Sequence, residues 1–390
     1  MKIGTARLIT GVSMAMLAAM PLLSTFSQTG EASERLDWSN LLTGKEVYNA
    51  ACATCHGTNG RGADSTLLGF DPLPPDFTDC AFTSREMSSD WEGIAWGGGP
   101  MKGFSPMMPA FGEALSKPQI KQAIVHIKAF CPEKKWPPGE FNLPKAMNTG
   151  KAFPENEVGW SLSTTFSEPM TIEGDFVVAR RIGARHQIEA GIPFAVQQVE
   201  YTTNSGEPEL RWGEGAGDIV VAWKSVMWFS VPAGNIASIT LDAFFPTGDE
   251  KDDLSDGIFA FEPALAIGQI IPYVGFLQLQ GGIELSTNTD KKLHTVFWRG
   301  ALGHSYRKGG YGRAVSPIIE FMGAKELSSK TSVEWDVVPQ IQIALSQRQH
   351  VRLGVGLSLP ITDFNDRQMK LMTYLIWDWY DGGFTEGWTQ

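Results

Sequence analysis

The stretch Ser332-Val-Glu-Trp-Asp-Val-Val-Pro-Gln-Ile-Gln-Ile-Ala-Leu345 has a period of two. Val333, Trp335, Val337, Ile341, Ile343 and Leu345 fall on one side, and Glu334, Asp336, Gln340 and Gln342 on the other. Successive side chains of an extended chain point to opposite faces, so this is a strand with one apolar and one polar face. The pattern repeats on both sides of it. From Val351 to Leu359 the odd positions are Val, Leu, Val, Leu and Leu, and the even ones are Arg352, Gly354, Gly356 and Ser358. Upstream, Leu277, Leu279, Ile283 and Leu285 oppose Gln278, Gln280 and Glu284.

Two architectures produce such strands. A soluble sandwich buries its apolar faces between two sheets. A transmembrane barrel turns them to lipid and keeps small and polar residues in its lumen. The strands run about 9–14 residues, as a tilted bilayer crossing requires. Aromatic residues gather near strand ends (Trp223, Trp228, Phe244, Phe245, Trp377, Trp379 and Tyr380), as in interfacial girdles. The pattern favours an antiparallel transmembrane β-barrel over residues 155–390, of about twelve strands. Pro339 interrupts its strand and is expected at an edge or a bulge.

Before the strands the composition differs. All four cysteines of the 390-residue chain lie there: Cys52, Cys55, Cys80 and Cys131. Between the halves, residues 133–154 carry Pro137, Pro138, Pro144 and Pro154, which reads as a semi-rigid linker. Lys2 and Arg7 precede an apolar run from Ile9 to Leu23, so residues 1–30 read as an export signal. An oxidising compartment outside the cytoplasm permits a disulfide, and parity pairs Cys80 with Cys131. The net charge of −11 excludes nucleic acid as a natural partner, because phosphate needs basic patches.

Cys52-Ala-Thr-Cys-His56 is C-x-x-C-H, the attachment signal for one covalent haem c. Two thiols meet the two vinyl groups of one porphyrin, and the adjacent imidazole faces the iron. Gly57, Gly60 and Gly62 permit a tight loop beside it. A thioether is expected as the sixth ligand, from Met87, Met101, Met107 or Met108. Met108 is favoured, since Met108-Pro-Ala-Phe-Gly112 is a proline-held loop before a helix. In that helix Ile120, Ala123, Ile124, Ile127 and Phe130 recur at helical spacing and should pack on the N-terminal helix. His126 reads as packed or surface, and His186, His294, His304 and His350 as lumen or loop residues.

Through GKEVYNAACATCHGTNGRG and MPAFGEALSKPQIKQAIVHIKAF, residues 40–132 resemble a class I monohaem cytochrome c. The resemblance implies a small all-α wrap around one haem. Its thioether attachments fall on Cys52 and Cys55, and its iron ligands on His56 and Met108. A long insert from Leu67 to Gly99 departs from that family. GAGDIVVAWKSVMW, SITLDAFFPTGD and FEPALAIGQ are similar to an outer-membrane barrel family of transporters in aromatic-compound (phenol) degradation. That likeness implies location and fold more than substrate.

Together these readings lead to the expectation of a two-domain protein. A cytochrome would sit on the periplasmic side of a barrel in a bacterial outer membrane and carry electrons to and from periplasmic redox proteins, with no enzymatic step. The alternative is a porin for small hydrophobic or aromatic solutes with a redox-sensing haem domain. A haem enzyme ranks last.

Overall fold

The computed structural model describes residues 43–68, 73–203, 206–363 and 367–378. The expected export signal, part of the insert, Trp379 and Tyr380 lie outside the described residues.

The first part is helical. Helix α1 (Gly44–Ala51) opens on a Thr43/Glu46 capping box and continues through a short turn, α2 (Ala53–His56). After α3 (Ser65–Leu68), α4 (Cys80–Thr83) and α5 (Ser88–Gly97), helix α6 (Lys117–Lys128) starts at a second capping box, Ser116 with Gln119. Each box satisfies backbone N–H groups that the first turn leaves free. Ile120, Ala123, Ile124 and Ile127 of α6 are buried, as are Val47 and Tyr48 of α1. The helices meet closely at Gly44, where a Cβ would stand 2.1 Å from the Gln122 carbonyl oxygen. Any larger residue would push α1 off α6.

The second part is a closed wall. Strands β1 (Glu157–Thr165), β2 (Thr171–Ile182), β3 (His186–Thr202), β5 (Ile219–Ser230), β6 (Asn235–Phe245), β7 (Ala260–Ile271), β8 (Gly275–Ser286) and β9 (Thr295–Gly303) pair in series, antiparallel. Strands β11 (Ala314–Glu326), β12 (Glu334–Ala344), β13 (Val351–Pro360) and β14 (Lys370–Asp378) continue the series. β14 returns to β1, Asp378 opposite Glu157, and β9 joins β11, Phe321 opposite Gly300. The ring therefore has twelve members and no open edge. Closure supplies every strand with partners on both sides, which a membrane-spanning sheet needs. Two further strands hang from it. β4 (Pro208–Ala216) pairs with the second half of β3, and the two-residue β10 (Tyr306–Arg307) pairs with β11.

Alternation sets the two faces. In β8, Gln278 is 1% exposed and faces inward, while Leu279 is 42% exposed and faces out. Trp160, Phe176, Ile192, Trp223, Leu241, Phe321, Ile341 and Leu375 lie on the outer face too. Pro339 differs from expectation. β12 is neither an edge nor bulged: Pro339 faces Ile319 on β11, and on the β13 side pairing skips it and resumes in unchanged register at Gln340–Gly356. Proline lacks only its own N–H, so one missing ladder bond is the whole local effect.

The two mouths are unlike. β1 begins and β14 ends at one mouth, which also holds the tight turns 183–185, 231–234 and 272–274. The opposite mouth carries the longest of the loops between ring strands outside the β3–β4 hairpin, 246–259, together with 287–294 and the outer end of that hairpin.

The proline-rich stretch is not a free spacer. Residues 139–156 enter the lumen. Their backbone and side chains bond Gln342 of β12, Glu320 of β11, Gln280 and Gln278 of β8, Ser238 of β6 and Gln187 of β3. Strands on opposite sides of a ring can be reached together only from inside it. Phe141 and Phe153 pack on Val226 and Ile236, and Leu143 and Ala146 on Phe276, Ala301 and Ile318. The segment descends from the tight-turn mouth to Glu320, midway along β11, and returns to start β1. Polar inward residues and buried backbone groups satisfy one another, which explains both the inward glutamines and why regular structure here is confined to a 3-10 turn at Gly139–Phe141.

Candidate haem site and its seat on the barrel

Cys52 and Cys55 lie one helical turn apart at the end of α1 and in α2, half-buried and not bonded to each other. The turn is held from below by Tyr48, whose hydroxyl donates to the Gly57 carbonyl at 2.6 Å and the His56 carbonyl at 3.3 Å. Tyr48 is wedged edge-on against His126 and Phe130. His126 is thus a packing residue. Gly57, Gly60 and Gly62 all take positive φ, which side chains disfavour. A Cβ at Gly60 would also strike the Phe130 ring at 2.7 Å.

His56 stacks on Phe77 with ring centroids 4.8 Å apart, and Phe77 touches Trp91. Burial pushes the His56 pKa down to about 4, so its imidazole is neutral at neutral pH, the state a metal ligand requires. Burial and the neighbouring Cys55 push Cys52 up to about 11. The buried His56 Nδ1 has no hydrogen-bond partner among the described residues. Two free thiols on one turn, a neutral imidazole beside them and a glycine loop that yields space fit a porphyrin.

The four methionines separate. Met87 is taken up elsewhere: its sulfur receives the Arg307 guanidinium at 3.2 Å. Met101 lies against Gly97, and Met107 is 56% exposed. Met108 is half-buried in a loop clipped to the end of α5, where its carbonyl accepts from the Gly99 N–H at 3.0 Å. Phe111 and Gly112 continue the clip by donating to the Ala95 and Trp96 carbonyls. Cys80 is bonded to Cys131, with Cα atoms 5.0 Å apart, and so ties α4 in the insert to the end of the domain.

The insert seats the helical part on the tight-turn mouth. Asp90 of α5 is buried and faces Lys102 and Arg307, each at 3.0 Å, with Gln349 also donating to it. Burial alone would raise its pKa. Arg307 and Lys102 outweigh that and hold the carboxyl below its usual value. Glu86 meets His350 at 2.9 Å, and Arg348 bonds the Lys102 and Gly103 carbonyls. Tyr311 fills the space over Gly93 and packs on Trp96. Arg307, Tyr311 and residues 348–350 all come from the two longest connections of this mouth, 304–313 and 345–350. No local pattern marks the Asp90–Arg307 pair in the sequence, because Arg307 and Gln349 lie more than two hundred residues from Asp90. Of the four strand-region histidines, His186 stacks on Trp223, His294 and His304 lie in loops, and His350 grips the helical part; none is in the lumen.

Residues 39–127, under a quarter of the chain, match the family model described as cytochrome C oxidase, cbb3-type, subunit III. That match marks the helical part as a cytochrome c-type, haem-binding domain. No curated protein matches the chain. Among solved structures, the KdgM porin is similar at 8% identity over 57% of this chain and 98% of its own, with a TM-score of 0.37. The NanC porin is similar at 6% identity over 56% and 97%, TM-score 0.37. Outer membrane phospholipase A from Escherichia coli is similar at 9% over 58% and 93%, TM-score 0.33.

Proposed function

We propose that this protein is a c-type haem electron carrier anchored in a bacterial outer membrane by its barrel, with the haem domain on the periplasmic side. The observation that carries this reading is the seat of the C-x-x-C-H turn. It belongs to a domain fastened to the tight-turn mouth of a closed barrel whose outer wall is apolar. Barrels of this class keep short turns on the periplasmic side and long loops outside.

Cys52 and Cys55 would hold one haem through thioethers, His56 would ligate its iron, and Met108 would complete the coordination. The bound haem supplies a one-electron couple, and a thioether ligand raises its potential. Tyr48 keeps the attachment turn in place, so little should rearrange when charge changes. Two protein ligands leave no position for a substrate, which supports a carrier over an enzyme. The partners would be periplasmic redox proteins, steered by charge complementary to an acidic chain.

The buried segment 139–156 weighs against the porin alternative, since it fills the bore to mid-depth. The barrel then serves as anchor and dock.

Reduced-minus-oxidised spectroscopy of the purified full chain tests the reading. A low-spin haem that ignores carbon monoxide is the expected result. A high-spin haem that binds carbon monoxide would contradict the carrier.

A further inference from the structure

The buried segment 139–156 holds a lysine, an asparagine and a glutamate in contact. Lys151 Nζ donates to Asn142 Oδ1 at 3.1 Å and to Glu155 Oε1 at 2.5 Å. Lys151 is 5% exposed, and Asn142 and Glu155 are each 7% exposed. Phe141, Ala152 and Phe153, next to them in the chain, pack on Val226 and Ile236 of the wall and keep bulk water away. Glu157, the next carboxylate, stands 4.0 Å from Lys151 and is shared with Lys145 at 3.6 Å. Glu155 is therefore the base in reach of the amine. Asn142 lies on the limb that enters the lumen, and Lys151 on the limb that returns to β1.

These are the parts of an amide-forming reaction. A lysine amine is a nucleophile once it has given up a proton, and a carboxylate touching it can take that proton and return it to a leaving group. The carboxamide carbon of Asn142 is the electrophile beside it. Reactants held together in a closed site need no encounter step. We infer that Lys151 and Asn142 join through an isopeptide bond, with Glu155 as the catalytic acid and base. The Lys151 ammonium gives a proton to Glu155, and the amine attacks Asn142 Cγ. The Nζ–Cγ bond forms and the Cγ–Nδ2 bond breaks. Two of the three ammonium protons leave with Nδ2 as ammonium, carried by Glu155, which ends as a carboxylate. The cross-link closes residues 142–151 into a ring, so the two limbs of the segment stay joined inside the bore.

The test is peptide mapping by mass spectrometry of the full chain purified in detergent. Trypsin should release residues 136–145 joined to a second peptide left uncut after Lys151, the pair lighter by one ammonia than the two apart. Glu155→Gln keeps the shape of the base without its function and should cut the cross-linked fraction at least tenfold. Lys151→Arg should abolish it. Heat-shifted gel mobility checks that both variants keep the barrel. Separate peptides, with cleavage after Lys151 in the unaltered chain, would overturn the inference whatever the variants do. Loss of ammonia that persists in Lys151→Arg would overturn it too, since Asn142 would then have reacted with its own backbone. Unchanged cross-linking in Glu155→Gln would overturn the role given to Glu155.

Discussion

Tyr48 shows how one side chain can hold the C-x-x-C-H turn from below. Its hydroxyl closes the Gly57 and His56 carbonyls, and its ring is fully buried between α1 and α6. Tyr48→Phe should take one donor from each carbonyl, leaving only the Gly60 and Gly62 N–H groups, and destabilise the haem domain by about 1 kcal/mol, measured by denaturant unfolding followed at the haem band. The methionines give a sharper contrast. Met108→Ala should convert the haem to a high-spin, carbon monoxide-binding form, while Met107→Ala should leave the spectrum unchanged; the reverse pattern would move the ligand to Met107. At this scale the sequence was most informative. C-x-x-C-H is a local spacing, so the candidate attachment turn is readable without any tertiary knowledge. Tyr48 was not readable, because its role depends on helix packing that brings it under a turn eight residues on.

At the scale of elements, strands and capped helices were legible because their periods are local: 3.6 for α6 and two for β8, β12 and β13. The segment 139–156 was not. Its prolines suit an extended chain in water and equally one laid inside a polar bore, and only the twelve inward-facing surfaces decide between them. Glu320 is one of its anchors, accepting from the Asn148 and Thr149 N–H groups. Replacing residues 143–150 with a flexible Gly-Ser chain should raise conductance in planar bilayers several-fold over a nearly closed native barrel; equal conductance would mean the segment does not block the bore. The dock gives a pH prediction. The folded pKa of Asp90 is depressed, so its contribution is full above the unfolded carboxyl value of about 4 and is lost as pH falls through the folded value. Limited proteolysis between the two parts should therefore speed up below about pH 4. Asp90→Asn should show faster cleavage already at neutral pH, because it leaves Arg307 and Lys102 without their shared counter-charge.

For the whole molecule, the barrel answers a simple requirement. A sheet whose outer face is apolar and whose strands all have two neighbours needs neither a second sheet nor water around it. The dock adds a second consequence: the haem domain is fixed against one mouth by the Arg307–Asp90 ion pair and the His350–Glu86 hydrogen bond and does not swing on a tether. The most direct test of the account is a haem-stained gel of fractionated cells expressing the full chain, with outer membrane separated from soluble periplasm. The account predicts one full-length stained band in the outer membrane that shifts mobility on boiling. A full-length stained band in the soluble periplasm would contradict it, since the strands would then enclose a soluble core and the carrier would have no membrane anchor.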